Sequence, residues 1–340
     1  MTQANAGVRI GDRAAGWVRR RRLTVTGERA GRRSTQKDQG MDFGICIPHY
    51  GKPIEIGRIL EIAQRAETLG FDSVWVTDHL LVPQSMPIIY RDHMLEPLAL
   101  LSHLAAVVTR VRLGTSVIIL PYRSPIVVAK MLATIDQLSQ GRVIMGTGAG
   151  WMEEEFAALN APFKERGDYS DECLRIIREI WTHDTVTLHG QFHHYDDMQT
   201  SPPPVQPGGP PIWVGGNSAR SRRRVAEWGD GWHASSLLAS EMAPGCAHVR
   251  ELWAQYNRQG EPVLSSRIAL SLEGVSEEVT TYASRRPRSR ITGSITAAVE
   301  QFGAYRELGL EHVVLELSTQ SHDGTLATME AFAERIRPQL

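Results

Sequence analysis

Cysteine is scarce in these 340 residues. There are three, Cys46, Cys173 and Cys246, and they lie far apart. So sparse and odd a set excludes a disulfide-stapled fold and points to reduced thiols in the cytoplasm. No run approaches the ~18 apolar residues of a membrane span, so no membrane role is expected. Nucleophile signatures are missing too; there is no G-x-S-x-G elbow. Net charge is only −1. Residues 1–40 hold ten Lys+Arg against three acids, leaving 27 against 35 in the rest. An acidic body with a basic tail does not suit a nucleic-acid-binding domain. With 42% hydrophobic and 22% charged residues, the chain is ordinary globular material. Its length suits a (β/α)₈ barrel of ~250 residues carrying insertions.

Residues 1–40 show no sustained period. The run Arg19–Arg22 leads into Leu23-Thr24-Val25-Thr26-Gly27, too short and polar for a signal-peptide core. Met41 opens a strand immediately afterwards. It reads as the natural start of the chain, with 1–40 a mis-assigned extension; the alternative is a disordered Arg-rich arm for an anionic surface.

From Met41 onward helix and strand patterns alternate, and residues 41–340 read as one domain. Ile56, Ile59, Leu60 and Ala63 follow the i, i+3, i+4, i+7 spacing of an amphipathic helix, as do Val128, Met131, Leu132 and Ile135. Helical patterns end at Gly70, Gly141, Gly229 and Gly309, where glycine relieves a left-handed C′ position. The apolar runs Phe43–Ile47, Val74–Val76, Val117–Leu120, Val143–Met145, Ile212–Val214, Trp232–Ser235, Ile268–Leu272 and Val313–Leu317 suit strands of a parallel sheet buried on both faces. Eight of them with helices between predict an α/β fold, a closed (β/α)₈ TIM barrel. An open doubly wound sheet is compatible with the same count. Residues 183–211, with six prolines and a hairpin pattern near Thr185–Tyr195, and residues 276–294, with Arg285, Arg286, Arg288 and Arg290, read as insertions at the C-terminal face.

In such a barrel, function sits just past the strands. Strand two is followed by Thr77-Asp78-His79, where a His beside an Asp can act as general acid/base. The plainer alternative is a helix cap and a loop-bonded His. Strand three is read as Leu113–Leu120, with the small Gly114-Thr115-Ser116 suggesting either a bulge near a ligand or a small-residue layer of the core. Strand four leads into Gly146-Thr147-Gly148-Ala149-Gly150-Trp151. This is not G-x-G-x-x-G, because Trp151 stands where the third glycine belongs. Strand five ends in Gly215-Gly216-Asn217-Ser218 before a helix, a turn whose free N–H groups suit phosphate; Asn217 or Ser218 serves equally as a plain N-cap. His183, His189, His193 and His194 match no zinc spacing and read as a polar hairpin, so no metal is expected.

Several segments, in this order and spacing, resemble the luciferase-like flavin and deazaflavin superfamily, in particular its coenzyme F420-dependent oxidoreductases. They are Phe71–His79, Leu113–Arg123, Ser139–Trp151 with Glu155-Phe156, and Pro211–Gly216. The resemblance runs from Met41 to about residue 335. It implies a luciferase-like barrel with a flavin-type ring at its C-terminal mouth. It also implies a non-proline cis peptide at Ser116-Val117, behind the ring. By the same resemblance Asp78 and His79 are catalytic, with His79 the acid/base. Thr115, Ser116, Val117, Gly148 and Ala149 lie along the cofactor, and Gly215, Gly216, Asn217 and Ser218 hold its phosphate. One departure stands out: sugar-oxidising members place a glutamate just after the strand-four glycines, whereas this chain has Trp151.

Three readings follow. The first is an F420-dependent oxidoreductase moving a hydride between deazaflavin C5 and a small or medium organic substrate. The second is an FMN-dependent monooxygenase using reduced flavin and O₂, served by a reductase as transient supplier. The third is a catalytically silent flavin-binding protein on the same scaffold. The resemblance further implies a homodimer.

Overall fold

In the computed structural model, residues 40–51, 55–85, 93–276, 289–317 and 321–340 are described. The first-forty reading and Arg285, Arg286 and Arg288 therefore lie outside the described residues, apart from Gly40. Eight parallel strands form the staves: β1 (Asp42–Cys46), β2 (Ser73–Val76), β3 (Arg112–Thr115), β4 (Val143–Gly148), β5 (Ile212–Gly215), β6 (Gly231–Ser235), β7 (Val263–Leu272) and β8 (His312–Glu316). Each pairs with the next through β6, except that β8 stands between β7 and β1 as the closing stave. The β4–β5 register, Ile212 opposite Met145 and Val214 opposite Thr147, completes the ring. A closed parallel barrel, not an open sheet, is the result.

Helices α1 (Ile56–Thr68), α2 (Pro97–Val107), α3 (Pro125–Ser139), α4 (Glu153–Ala158), α5 (Arg166–Thr182), α6 (Ala219–Trp228), α7 (Ala239–Gln255), α8 (Ile295–Glu307) and α9 (His322–Ala331) follow the staves. On α1 the buried face is Ile59, Ile62, Ala63 and Ala66, which keeps the expected period. Gly70, Gly141 and Gly309 take φ near +80°, as a left-handed helix end requires. Gly229 does not. Its φ is −90°, and a Cβ there would crowd Val214 and Val225, so closeness of packing explains that glycine.

Two expected strands are corrected. The third stave is Arg112–Thr115, not Val117–Leu120. The chain leaves the stave at Ser116-Val117, whose peptide bond is cis, and only Ile118–Ile119 rejoins β4. The seventh stave begins at Val263 rather than Ile268. Its first half carries Ser265, Ser266 and Arg267, polar residues that interrupt an apolar run. Ser265 bonds His233 inside the barrel, so its hydroxyl is buried and satisfied rather than exposed. The 183–211 insertion contains the expected hairpin, Thr185–His189 against His194–Gln199.

Most core side chains lie between barrel and helices. A second cluster, including Trp75, Ile144 and Trp213, fills the barrel itself. Trp75 stacks on Trp213 with centroids 5.3 Å apart and on His233 at 5.1 Å. Its indole N–H donates to Ser73 Oγ at 2.6 Å, and Ser73 meets His312 Nε2. The interior is thus a packed column, and space opens only above it. Among the described residues no helix is long and apolar enough to cross a membrane.

Two histidines in this interior are held neutral. Burial, with Arg267 and His312 adding to it, brings His233 down to about 3. Burial brings His49, whose Nε2 accepts the Thr77 N–H, down to about 4. Between pH 6.5 and about 4 the unfolded chain therefore takes up two protons that the folded chain refuses. Stability is full above pH 6.5 and falls as the medium becomes more acidic, by about 1.4 kcal/mol per pH unit for each histidine. Urea melts at pH 7 and pH 5 will show this loss. His233→Asn should flatten the slope, and an unchanged slope would contradict the assignment.

Candidate active site at the barrel mouth

Above the column lies a cavity of about 560 Å³, within the ~300–1,000 Å³ range of small-molecule sites. Most of its lining comes from the C-terminal ends of the staves and the residues just past them. Asp78, His79, Ser116, Val117, Gly148, Ala149, Gly215, Gly216 and Ser218 line it.

His79 follows β2 and is buried. Its partner is Glu155 on α4, with Nδ1 to Oε2 at 2.7 Å. Glu155 also accepts the Leu80 and Leu81 backbone N–H groups on Oε1, at 2.5 and 3.1 Å, and the Tyr122 hydroxyl on Oε2 at 2.8 Å. Burial pulls the Glu155 carboxyl upward, but the hydrogen bonds from His79, Leu80 and Leu81 outweigh it and hold it below the usual range. Burial and the neighbouring Glu155 charge push the Tyr122 phenol far up, so it remains a donor. An ionised Glu155 demands a donor at Nδ1 of His79. That fixes the tautomer and leaves Nε2 as the nitrogen Glu155 does not hold.

Asp78 is not the partner of His79, contrary to the pairing suggested by their adjacency. Its Oδ2 accepts the Ile119 N–H at 2.9 Å and Arg123 Nη1 at 2.7 Å, and its Oδ1 accepts Arg123 Nη2 at 2.9 Å. Arg123 Nη2 also meets Glu96 at 2.7 Å. The two-pronged bridge fastens the segment after β3 to the end of β2.

The glycines of β4 and β5 answer to Val117. A Cβ on Gly148 would stand 2.8 Å from Val117 Cγ2, and one on Gly215 2.9 Å from Cγ1. Val117 therefore seats against bare backbone, which makes a smooth wall. Thr115 does not reach the cavity; its hydroxyl donates to the Gly146 carbonyl at 2.6 Å. Nor does Asn217, whose amide donates to the Ser235 carbonyl at 3.0 Å and ties the β5 turn to β6. Ser218 caps α6 by accepting the Ser221 N–H at 3.1 Å. Gly216, at φ +98°, makes the turn before it.

Arg220 and Arg224, on α6 itself, lie on this side. Gly167 lies against the Arg220 guanidinium. Lys164, Arg166, Arg220 and Arg224 all line the cavity. Arg220 is bridged to Asp168 and Asp171, and Arg224 to Asp171. Arg290 lies elsewhere, on a short strand beside β7.

Four further groups complete the floor, none of them expected from sequence. His233 Nε2 meets Ser116 Oγ at 2.8 Å. Arg267 donates to the Ser116 carbonyl at 2.5 Å and faces Glu316 at 3.3 Å. Tyr50 donates to Glu316 at 3.1 Å. The hairpin histidines have partners of their own: His183 with Glu179, His189 with Asp196 and His193 with Glu172. Among the described residues no three potential ligands converge on a metal position.

The sequence pattern of luciferase-like monooxygenases matches residues 41–336. The chain belongs to the luciferase-like monooxygenase family. As a member it is an enzyme of the oxidoreductase class. It is 29% identical to the F420-dependent glucose-6-phosphate dehydrogenase of Amycolatopsis mediterranei over 83% of this chain and 94% of that one. An F420-dependent secondary alcohol dehydrogenase, solved with an F420-acetone adduct, superposes with TM-score 0.76 at 18% identity, covering 89% of this chain and all of that one. The oxygenating constituent of 3,6-diketocamphane monooxygenase from Pseudomonas putida, solved with FMN, gives 0.70 at 16% identity, with 89% and 99% covered. The last two are likenesses of fold. In this luciferase-like chain the barrel mouth offers what a flat, phosphate-bearing cofactor needs: a wall of bare backbone and a capped helix N-terminus flanked by cations.

Proposed function

We propose that the protein is a coenzyme F420-dependent oxidoreductase acting on a small organic substrate at the barrel mouth. The observation that carries the reading is the buried His79–Glu155 pair on a cavity whose wall is Val117 set against Gly148 and Gly215. Similarity to an F420-dependent dehydrogenase over nearly its whole length favours deazaflavin over FMN.

When bound, the deazaflavin supplies a carbon centre that gives or receives a hydride. Ser116, Val117, Gly148 and Ala149 would back its ring, and Gly215, Gly216 and Ser218 at the start of α6 would hold its phosphate. His79 moves the accompanying proton through Nε2. Glu155 keeps the ring oriented and steadies the imidazolium whenever His79 carries two protons. The closed column beneath the cavity shuts water out from below.

Titrating the full-length protein separately with oxidised F420 and with FMN, followed by fluorescence quenching, tests the proposal. Tight F420 binding with weak FMN binding is expected. The reverse would move the protein to the flavin monooxygenases, with a reductase supplying reduced FMN. Failure of both would remove the cofactor assignments.

A further inference from the structure

Trp151 is the odd tryptophan. Trp75, Trp181, Trp213, Trp232 and Trp253 are buried, whereas Trp151 is 51% exposed at the cavity edge. Its backbone is held between two anchors. Gly150 turns at φ +77°, where a Cβ would strike Ile119 and the Phe156 ring. Met152, the cap of α4, is buried. The interior places beside it are taken by Met152 and Phe156, and the indole is left standing in the mouth. It meets the His79 ring at right angles with centroids 5.9 Å apart. Leu81, two residues past His79, is 54% exposed although its N–H is fixed by Glu155.

Charge is distributed unevenly about this cavity. At the His79 end the guanidinium of Arg123 is committed to Asp78 and Glu96. On the floor Arg267 serves Glu316 and the Ser116 carbonyl. On the other side, where α6 begins, stand Arg220 and Arg224, bridged to Asp168 and Asp171, beside the N–H groups of the helix start. An anionic group is drawn to that side. What remains of the lining near His79 is an indole and the aliphatic Val117 and Ile119.

We propose that Trp151 is the substrate platform of this cavity, and that the substrate is an uncharged cyclic or aromatic compound bearing a hydroxyl or carbonyl. The indole takes the flat apolar body, and the oxygen faces His79. Phosphosugars are disfavoured, because a hydrated, doubly charged group gains nothing from an indole, and Arg123, the guanidinium held by Asp78, is already committed to two carboxylates. The substrate class rests on the oxidoreductase reading, but binding to Trp151 does not depend on which cofactor is present.

The test is calorimetric titration of the full-length protein with 2-naphthol and with glucose 6-phosphate, each with and without F420. 2-Naphthol is expected to bind more tightly than glucose 6-phosphate. Trp151→Ala should weaken 2-naphthol by about tenfold or more, the lost apolar and stacking contact, while Trp151→Phe keeps it within about threefold. Far-UV circular dichroism confirms folding; should Trp151→Ala not fold, Trp151→Leu, which keeps apolar bulk but loses the ring, takes its place, with an expected loss of a few fold. Equal binding by wild type and Trp151→Ala would overturn the proposal. So would tighter binding of glucose 6-phosphate, or no binding of 2-naphthol at all. Should both cofactors fail to bind while the Trp151 pattern holds, the cofactor reading falls and the platform stands.

Discussion

Asp78→Ala is expected to lower stability by about 3–5 kcal/mol, the cost of stranding one member of a buried ion pair. The reason is Arg123. Its guanidinium is largely buried, with the Asp78 side chain fully buried beneath it, and without Asp78 only Glu96 remains to balance it. The Ile119 N–H also loses its acceptor. Arg123→Ala should cost a comparable amount. The double variant should cost clearly less than the sum, since neither charge is then abandoned. Urea denaturation of the four proteins measures the coupling. Additive losses would mean that the bridge contributes little.

His79→Ala, in contrast, should leave folding nearly intact and lower turnover by about 10²–10⁴-fold, the usual contribution of a placed acid/base. Cofactor affinity should stay within a few fold, because the phosphate-side residues are untouched. Glu155→Gln should also reduce turnover. It keeps an oxygen to accept the Leu80 and Leu81 N–H groups, but removes the charge that steadies a doubly protonated His79. Stopped-flow measurement of deazaflavin absorbance with a turned-over substrate separates these effects from binding. Retention of full turnover by His79→Ala would overturn the proton route through His79.

The barrel was legible because its staves are apolar on both faces and its helices are not. Errors arose where polarity enters the interior. The β7 run looked short because Ser265, Ser266 and Arg267 interrupt it, and the partners of Ser265 and Arg267 come from other staves. Looking past each apolar run led to Thr77–His79 and to the glycine turns. It passed over Arg267, inside a stave, and Glu316, which is hidden within the run Val313–Leu317. Glu155 was visible as part of the resembling pair Glu155-Phe156, but its role as partner of His79 was not. Its neighbour Phe156 was the available sign that it turns inward. Asn217 looked like a phosphate ligand because turns that bind anions and turns that tie two loops together use the same residues.

The seam of the barrel has a temporal meaning. β1 closes against β8, some 270 residues later in the chain, and Tyr50 reaches Glu316 across that join. During synthesis the first stave must wait, its edge unpaired, until the last has left the ribosome. A nascent chain halted before residue 312 would expose the backbone of β1 on one side and β7 on the other, with the floor of the cavity missing Glu316. Such long-range closure is slow and leaves edges open to stray pairing. Maturation of the binding site is thereby deferred to the end of translation, and a ligand that bridges both sides of the seam would act as a late folding aid.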